Sequence, residues 1–334
     1  MSIWAFAFGY FACYVPYSAL TKALSSGALS STPTPIAGVT LLPLTALSSL
    51  LGMFVFISAM RWWRFASSST VFGVNLPRPT RWTLLSGLCT AGIIATTTLS
   101  YTFEGISIVF MMLLMRGGVL VIAPLVDFAS GRKVGVYSWV GLALSMGALL
   151  VAHFGSGPDS TKLTVVAAVD VGLYLLAYFV RLRFMSRLAK SADADVTRRY
   201  FVEEQMTATP LVITFLALVA WLGRGDFASA LRAGFVDMWQ HPALWLVLLV
   251  GLLSQGTGIF GGLILLDRRE NTFCVPVNRA SSILAGVCAS FALVWLLGVA
   301  APAASELWGA LLVVAAIVVL SAGSLKKAWA AGKS

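Results

Sequence analysis

The sequence predicts an all-α polytopic membrane protein, with ten transmembrane helices arranged as two inverted five-helix repeats and both termini in the cytoplasm. Three observations carry that expectation. Of 334 residues, 59% are hydrophobic and only 11% charged, a balance that a water-soluble chain of this length does not sustain. About ten apolar stretches reach the roughly 20 residues that a helix needs to cross a hydrocarbon core. The lysines and arginines between these stretches fall into alternate connections.

Apolar windows place the spans near residues 2–22, 35–60, 82–102, 105–127, 135–154, 163–181, 200–222, 242–266, 273–297 and 303–325. The first residues, Met1-Ser-Ile-Trp-Ala-Phe, lack the basic stretch of a cleavable signal peptide, so the first segment reads as a permanent span. With the N-terminus inside, Arg61, Arg64, Arg78 and Arg81 follow the second span, and Arg132 and Lys133 the fourth. Six basic residues from Arg181 to Arg199 follow the sixth, Arg268 and Arg269 the eighth, and Lys326, Lys327 and Lys333 lie in the tail. These 17 cytoplasmic residues stand against four outside, Lys22, Lys162, Arg224 and Arg232. Basic loops resist translocation, so the asymmetry sets the orientation. Deleting any one span would invert every later loop and abolish the bias.

Smaller features complete the element order. Phe227, Leu231 and Phe235, recurring every four residues ahead of Trp239, predict a short amphipathic helix on the outer membrane surface between spans seven and eight. Trp62, Trp63, Trp82 and Trp329 at cytoplasmic borders read as an aromatic belt. Met111, Met112, Met115 and Met146 read as adaptable packing. Cys13, Cys89, Cys274 and Cys288 all fall within spans, with no metal-ligand spacing and no disulfide framework.

The stretch Gly155-Ser-Gly-Pro-Asp-Ser-Thr161 is the most linker-like and lies almost midway, separating a first half at 1–155 from a second at 163–325. Five spans on each side is an odd number, so homologous halves would insert with opposite orientation. In the fourth span Arg116-Gly-Gly-Val-Leu precedes Trp139-Val-Gly-Leu-Ala-Leu; in the ninth, Arg279-Ala-Ser-Ser-Ile-Leu precedes Trp308-Gly-Ala-Leu-Leu. An intramembrane arginine followed by small residues, then Trp and Gly opening the next span, thus recurs in both halves. Such repeats point to a transporter, because they let one site face each side in turn.

The architecture resembles the drug/metabolite transporter superfamily, in particular its EamA-type ten-helix members. Local sequence carries the resemblance: Met111-Met-Leu-Leu-Met-Arg116, a further apolar run with Pro124, Gly131-Arg-Lys-Val134 and Trp139-Val-Gly-Leu-Ala-Leu144. Arg132 stands where many members carry an acidic residue, so no role tied to that carboxylate transfers. The resemblance implies a multi-pass protein of the bacterial inner (cytoplasmic) membrane that works by secondary transport. Organophosphate-exchanging relatives use basic residues on the corresponding fourth and ninth helices.

A charge at the bilayer centre costs several kcal/mol, so each one needs a partner, water or a function. Arg116 sits about ten residues, or roughly 15 Å, from either end of its span, too deep for easy snorkelling. Arg279 lies shallower. Together they would form an anion clamp, each guanidinium offering a planar fork suited to carboxylate or phosphate. The bland reading of Arg116 is an ion pair with Asp170, and Asp170 is alternatively a proton-coupling carboxylate. Asn278, Tyr14 and Tyr17 are candidate substrate contacts, with Pro16 as a possible kink in the first span. Glu203 and Glu204, beside Arg198 and Arg199, read as interfacial charge pairs.

The +10 net charge does not indicate nucleic acid, since it is dispersed over loops where topology and anionic lipid headgroups account for it. No catalytic constellation appears. The two histidines, His153 and His241, are distant in sequence, and HExxH, Gly-x-Ser-x-Gly and phosphate-loop motifs are absent. No filter-like segment suggests a channel. The expectation is therefore a secondary transporter, without metal or other cofactor, whose partners are membrane lipids and a small polar substrate, an organic anion bearing phosphate or carboxylate. An exporter of amino acids or amphipathic metabolites is the alternative within the class; a non-transporting scaffold or an embedded enzyme is the alternative outside it. The charge asymmetry makes its own prediction: a cysteine placed near Ala194 should resist an impermeant thiol reagent in intact cells, and labelling from outside would reject the ten-span topology.

Overall fold

The computed structural model describes residues 2–29, 34–71, 74–100, 108–154, 165–191, 193–298 and 304–331. The expected linker at 155–161, Lys162, Lys333 and the side chains of Met112, His153 and Trp329 lie outside what is described. Eleven α-helices are described: α1 (Ile3–Ser26), α2 (Gly38–Ala59), α3 (Arg81–Ser100), α4 (Ile108–Ala129), α5 (Val136–Phe154), α6 (Val165–Phe184), α7 (Ala194–Leu222), α8 (Asp226–Val236), α9 (Leu244–Leu265), α10 (Asn271–Leu297) and α11 (Ala304–Ala331). Six of them, α1, α2, α6, α7, α9 and α10, are long and apolar enough to cross a membrane, and α5 and α11 contain shorter apolar stretches. The chain is an all-α membrane protein.

Helix ends follow local chemistry. Ser2 caps α1 through its hydroxyl, and Gly27, at φ 66°, closes it by donating to the carbonyls of Ala23 and Leu24 in a conformation that penalises any Cβ. The proline at 16 sits inside α1 without ending it. The seventh span starts at 194 rather than 200 because Asp193 accepts the Asp195 amide at 2.8 Å. A short antiparallel hairpin, β1 (Ser68–Val71) with β2 (Val74–Pro77), lies between α2 and α3. Four-residue strands are too short for the apolar-window reading to anticipate.

Successive long helices run up and down. At the lower end of the bundle, where α1 begins, Trp4 meets Phe273 of α10, Phe56 of α2 meets Phe201 of α7, and Trp82 of α3 meets Phe184 of α6. The packing pairs form a pattern. Helix α1 packs on α9 and α10 as α6 packs on α3 and α4; α2 packs on α9 as α7 packs on α3; α4 meets α10, α5 meets α11 and α2 meets α7. Exchanging the first five long helices with the last five, in order, leaves this set unchanged. The contact of α10 with α5 has no counterpart of like extent. Close packing of α2 on α9 uses Gly251, where a side chain would strike Ser48, while Ser48 and Ser49 donate to the carbonyls of Leu248 and Gly251 at 2.6 and 2.7 Å.

Two expected surface features differ. Helix α8 buries Leu231 completely against Val212, Leu216 and Ala220, with Phe227 and Phe235 beside it, and seats Gly234 on Pro43 of α2. Its apolar face therefore covers protein at the upper end, where α2 and α7 leave a groove. Trp62 is not a belt residue, being buried between Phe56 and Phe201. Trp82 is partly exposed at the lower end, but the most exposed tryptophans, Trp221, Trp245, Trp295 and Trp308, sit at the upper ends of their helices. That placement suits an interfacial aromatic girdle. Met111 and Met115 are fully buried, as packing residues should be, and the four cysteines are free.

Asp127, at the foot of α4, anchors the start of α10. Its carboxylate accepts from the Asn271 amide and Nδ2 at 2.8 Å each, and from the Thr272 amide and hydroxyl at 2.7 Å each. The residue is fully buried, so removing the acceptor strands several donors that a helix start must otherwise satisfy. Asp127→Ala should cost about 2–4 kcal/mol, read as lowered thermal stability of the purified protein in detergent. Asp127→Asn, which keeps one acceptor oxygen, should lose less.

Candidate functional site

Each of the two deep arginines is met by a tyrosine from a helix about a hundred residues earlier. Arg116 Nη2 donates to Tyr14 Oη at 3.5 Å, and Arg279 Nη2 to Tyr178 Oη at 3.1 Å. The Arg279 guanidinium also lies 5.6 Å from the centre of the Tyr178 ring. The pairs are spaced 102 and 101 residues apart in the chain. Each tyrosine has a second one turn before it on the same helix face: Tyr10 stacks on Tyr14 at 5.5 Å, and Tyr174 meets Tyr178 at 5.0 Å. Tyr17 packs edge-on against Tyr14 at 5.6 Å and extends the first ladder.

A cavity of about 350 Å³ opens beside this cluster. Tyr10, Tyr178, Arg181, Gln255, Asn278 and Arg279 supply its polar wall, and Leu42, Val212 and Leu216 line its apolar part. Two donors there are buried with nothing to donate to among the described residues, Arg279 Nε and Gln255 Nε2. Buried donors without acceptors are costly unless a ligand or water supplies one. Of the expected substrate residues, Arg279 and Asn278 line this cavity; Arg116, Tyr14 and Tyr17 do not, but join it through the tyrosine ladder.

The acidic residues fall differently from expectation. Asp170 does not pair with Arg116; it is buried, lines neither cavity described here, and its Oδ2 has no hydrogen-bond partner among the described residues. Among those residues no carboxylate forms an ion pair with Arg116 or Arg279. Glu203 and Glu204 are not interfacial, since both are fully buried. Glu203 accepts from the Ser67 and Thr80 amides and the Thr83 hydroxyl, tying the segment before α3 to α7. Glu204 forms a bidentate pair with Arg181, at 2.7 and 3.1 Å, and accepts from Ser86 at 2.7 Å and Thr90 at 3.0 Å. Arg198 turns instead to Asp195 at 2.8 Å.

Sequence reasoning assigned Arg181 to a loop and passed over Tyr174 and Tyr178. The signal for the tyrosines was present: Tyr-x-x-x-Tyr occurs in the opening span of each half, at Tyr10 and Tyr174, at almost the same distance from the arginine that follows.

A second cavity, of about 820 Å³, lies at the lower end between the start of α1, the end of α2, the start of α7 and the end of α9. Arg198, Arg268 and Arg269 line it beside Phe6, Phe56 and Phe260. Arg132 donates to the carbonyls of Arg268, Arg269 and Ser186 at 3.0, 3.4 and 2.9 Å. It works as a brace between the foot of α4, the foot of α6 and the turn before α10.

No family model and no curated protein matches the chain. Solved structures do: 27 chains match. One, described only as "Crystal structure of protein", aligns over 95% of this chain and 98% of its own, with a TM-score of 0.57 and 16% sequence identity. At that identity the likeness concerns the fold of the whole bundle and not the residues of the cavity.

The Arg181–Glu204 pair has a stability signature. Removing one member leaves an uncompensated buried charge at a cost of about 3–5 kcal/mol, whereas replacing both by uncharged residues is far less harmful. Glu204→Ala should therefore unfold at markedly lower temperature in detergent, and Arg181→Met/Glu204→Gln should recover most of the loss.

Proposed function

We propose that the protein is a secondary transporter that carries a small organic anion, bearing phosphate or carboxylate, by alternating access between two inverted five-helix halves. The observation that carries this reading is the contrast among three deep arginines. Among the described residues Arg181 has its carboxylate, while Arg116 and Arg279 have only tyrosine hydroxyls and Arg279 keeps a buried Nε–H without an acceptor beside a cavity. Two such cations in a membrane bundle call for an anion, and none of the described residues supplies it. Arg279, Asn278 and Gln255 would bind it directly, Arg116 would add charge from behind the ladder, and the tyrosines would orient both guanidiniums.

The exchange pattern of helix packing and the matched tyrosine–arginine spacing support the repeat, with 1–155 and 163–325 as the halves. Ten spans with cytoplasmic termini, and membership of the drug/metabolite transporter superfamily among its EamA-type proteins, fit the same reading. No phosphate loop for ATP is present in the sequence, so transport would run on a gradient or on exchange. A cavity walled by guanidiniums favours an anion over a neutral amphipathic substrate.

The test is a thermal-shift screen of purified protein against phosphorylated sugars, dicarboxylates, amino acids and nucleotides, followed by affinity measurement for whichever compound stabilises it. Arg279→Ala should lose a charge-assisted contact of about 1.5–3 kcal/mol, more than tenfold in affinity, and Arg116→Ala, which removes charge without a direct contact, should weaken binding by less. Arg279→Lys should recover only part, because it keeps the charge and loses the fork. A double alanine variant that binds and transports the compound like the wild type would remove the arginines from the site.

A further inference from the structure

The strongest feature outside the anion site as described is the polar seam behind it. On α3, Thr80 at its foot, then Thr83, Ser86 and Thr90, fall at helical spacing along one face, from the lower end up to the cavity. Glu203 and Glu204 of α7 lie along that seam, Glu203 bonded to Thr83 and Glu204 to Ser86 and Thr90. Tyr200 extends it, its hydroxyl 2.6 Å from Ser86 Oγ. At the upper end of the seam Thr90 and Arg181 line the cavity itself. Arg181 is thus the one guanidinium that touches both compartments, facing the anion cavity and holding a buried carboxylate whose hydrogen-bonded neighbours continue toward the lower end.

Arg181 also lies one turn beyond Tyr178 on α6, Tyr178 accepts from Arg279, and all three line the same cavity. An anion seated on Arg279 therefore meets a second guanidinium within the same wall. That guanidinium is already engaged by Glu204. An incoming anion and the Glu204 carboxylate compete for one cation, and a fully buried carboxylate stripped of its cation is stable only when neutral.

We infer that Arg181 and Glu204 form an exchange pair that couples anion binding to proton uptake. The anion takes Arg181, and Glu204, released, takes one proton along the α3 seam. The balance is simple: the Arg181–Glu204 ion pair opens, the anion pairs with the guanidinium, and the carboxylate becomes a carboxylic acid still held by Ser86 and Thr90. No covalent bond other than O–H is made or broken. Besides Arg181, the titratable groups beside Glu204 are Cys89 on α3, Tyr200 on its own helix and the neighbouring Glu203. Helix α2, also packed on α7, carries none; Arg64, Arg81 and Arg187 belong to the lower end of the elements around it, and Asp226 and Arg232 of α8 to the upper end.

The inference rests on the cavity being an anion site, and sulfate, a dianion that does not titrate near neutral pH, serves as the probe. Calorimetric titration of the full-length protein in detergent, in buffers of different ionisation enthalpy, reads the protons taken up per sulfate bound. The wild type should take up about one, and its sulfate affinity should fall as the pH rises. Glu204→Gln should bind sulfate with no proton uptake and no pH slope; Arg181→Met/Glu204→Gln, which leaves no unpaired buried charge, checks the same loss should the single variant fold poorly. Sulfate bound by the wild type without proton uptake, or uptake that persists in either variant, overturns the coupling and leaves the anion site standing. No sulfate binding to the wild type at any accessible concentration overturns the anion site, and the coupling with it.

Discussion

Everything in this bundle is organised by the cost of an unpaired charge away from water. Lipid supplies no hydrogen bonds, so backbone groups are satisfied within helices and each buried ionisable side chain must find a specific partner or remain a liability. The chain meets that constraint at three places with dense side-chain bonding: Asp127 on the start of α10, Glu203 on the segment before α3, and Glu204 on Arg181. Where the pattern breaks, the unmet groups are not confined to one place: Asp170 Oδ2 lies apart from either cavity, whereas Arg279 Nε and Gln255 Nε2 both sit at the wall of one. The pair at the cavity is the informative one, because both are N–H donors facing the same open space, where a bound acceptor could meet them together.

The tyrosine ladders explain how two like charges can be kept in one neighbourhood. Each guanidinium is oriented by a hydroxyl from a helix about a hundred residues earlier, and Arg279 also lies over the face of its tyrosine ring, which lowers the cost of a cation without neutralising it. A carboxylate in the same position would have cancelled the charge. Aromatic hydroxyls hold the fork in place and leave its charge available.

Most of the fold was legible in the sequence, since helices of this length need apolar windows and the windows are unmistakable. Ends were less so: α7 starts early because of Asp193, a capping effect invisible to hydropathy, and the hairpin at 68–77 is too short for any periodicity. The deep arginines were legible because charge in an apolar span is rare. Their partners were not. The pairing of Arg116 with Asp170 looked reasonable by sign, but nothing in one sequence says which faces of α4 and α6 meet. The same blindness hid Arg181, which counts as a loop residue by charge statistics yet sits 7% exposed inside the bundle with Glu204. Trp62 erred in the other direction, a border tryptophan drawn inward by Phe56 and Phe201.

The lower end of the bundle is held differently from the rest. Arg132 braces three carbonyls, Lys190 donates to the Arg269 carbonyl at 2.8 Å, and Asp127 holds α10 to α4, all within the same layer. Every one of these is a bond from a side chain to the end of a helix rather than an interdigitated apolar contact. Such bonds can be exchanged for water when helix ends part, at a net cost near that of ordinary hydrogen bonds, about 1 kcal/mol each. The apolar seams higher in the bundle, where Gly251 seats α9 on α2 and Leu231 plugs α7, cannot be opened so cheaply, because their surfaces would be left without packing partners. Motion about those seams, with the bonds at the foot as the part that yields, is the movement that this distribution of contacts permits.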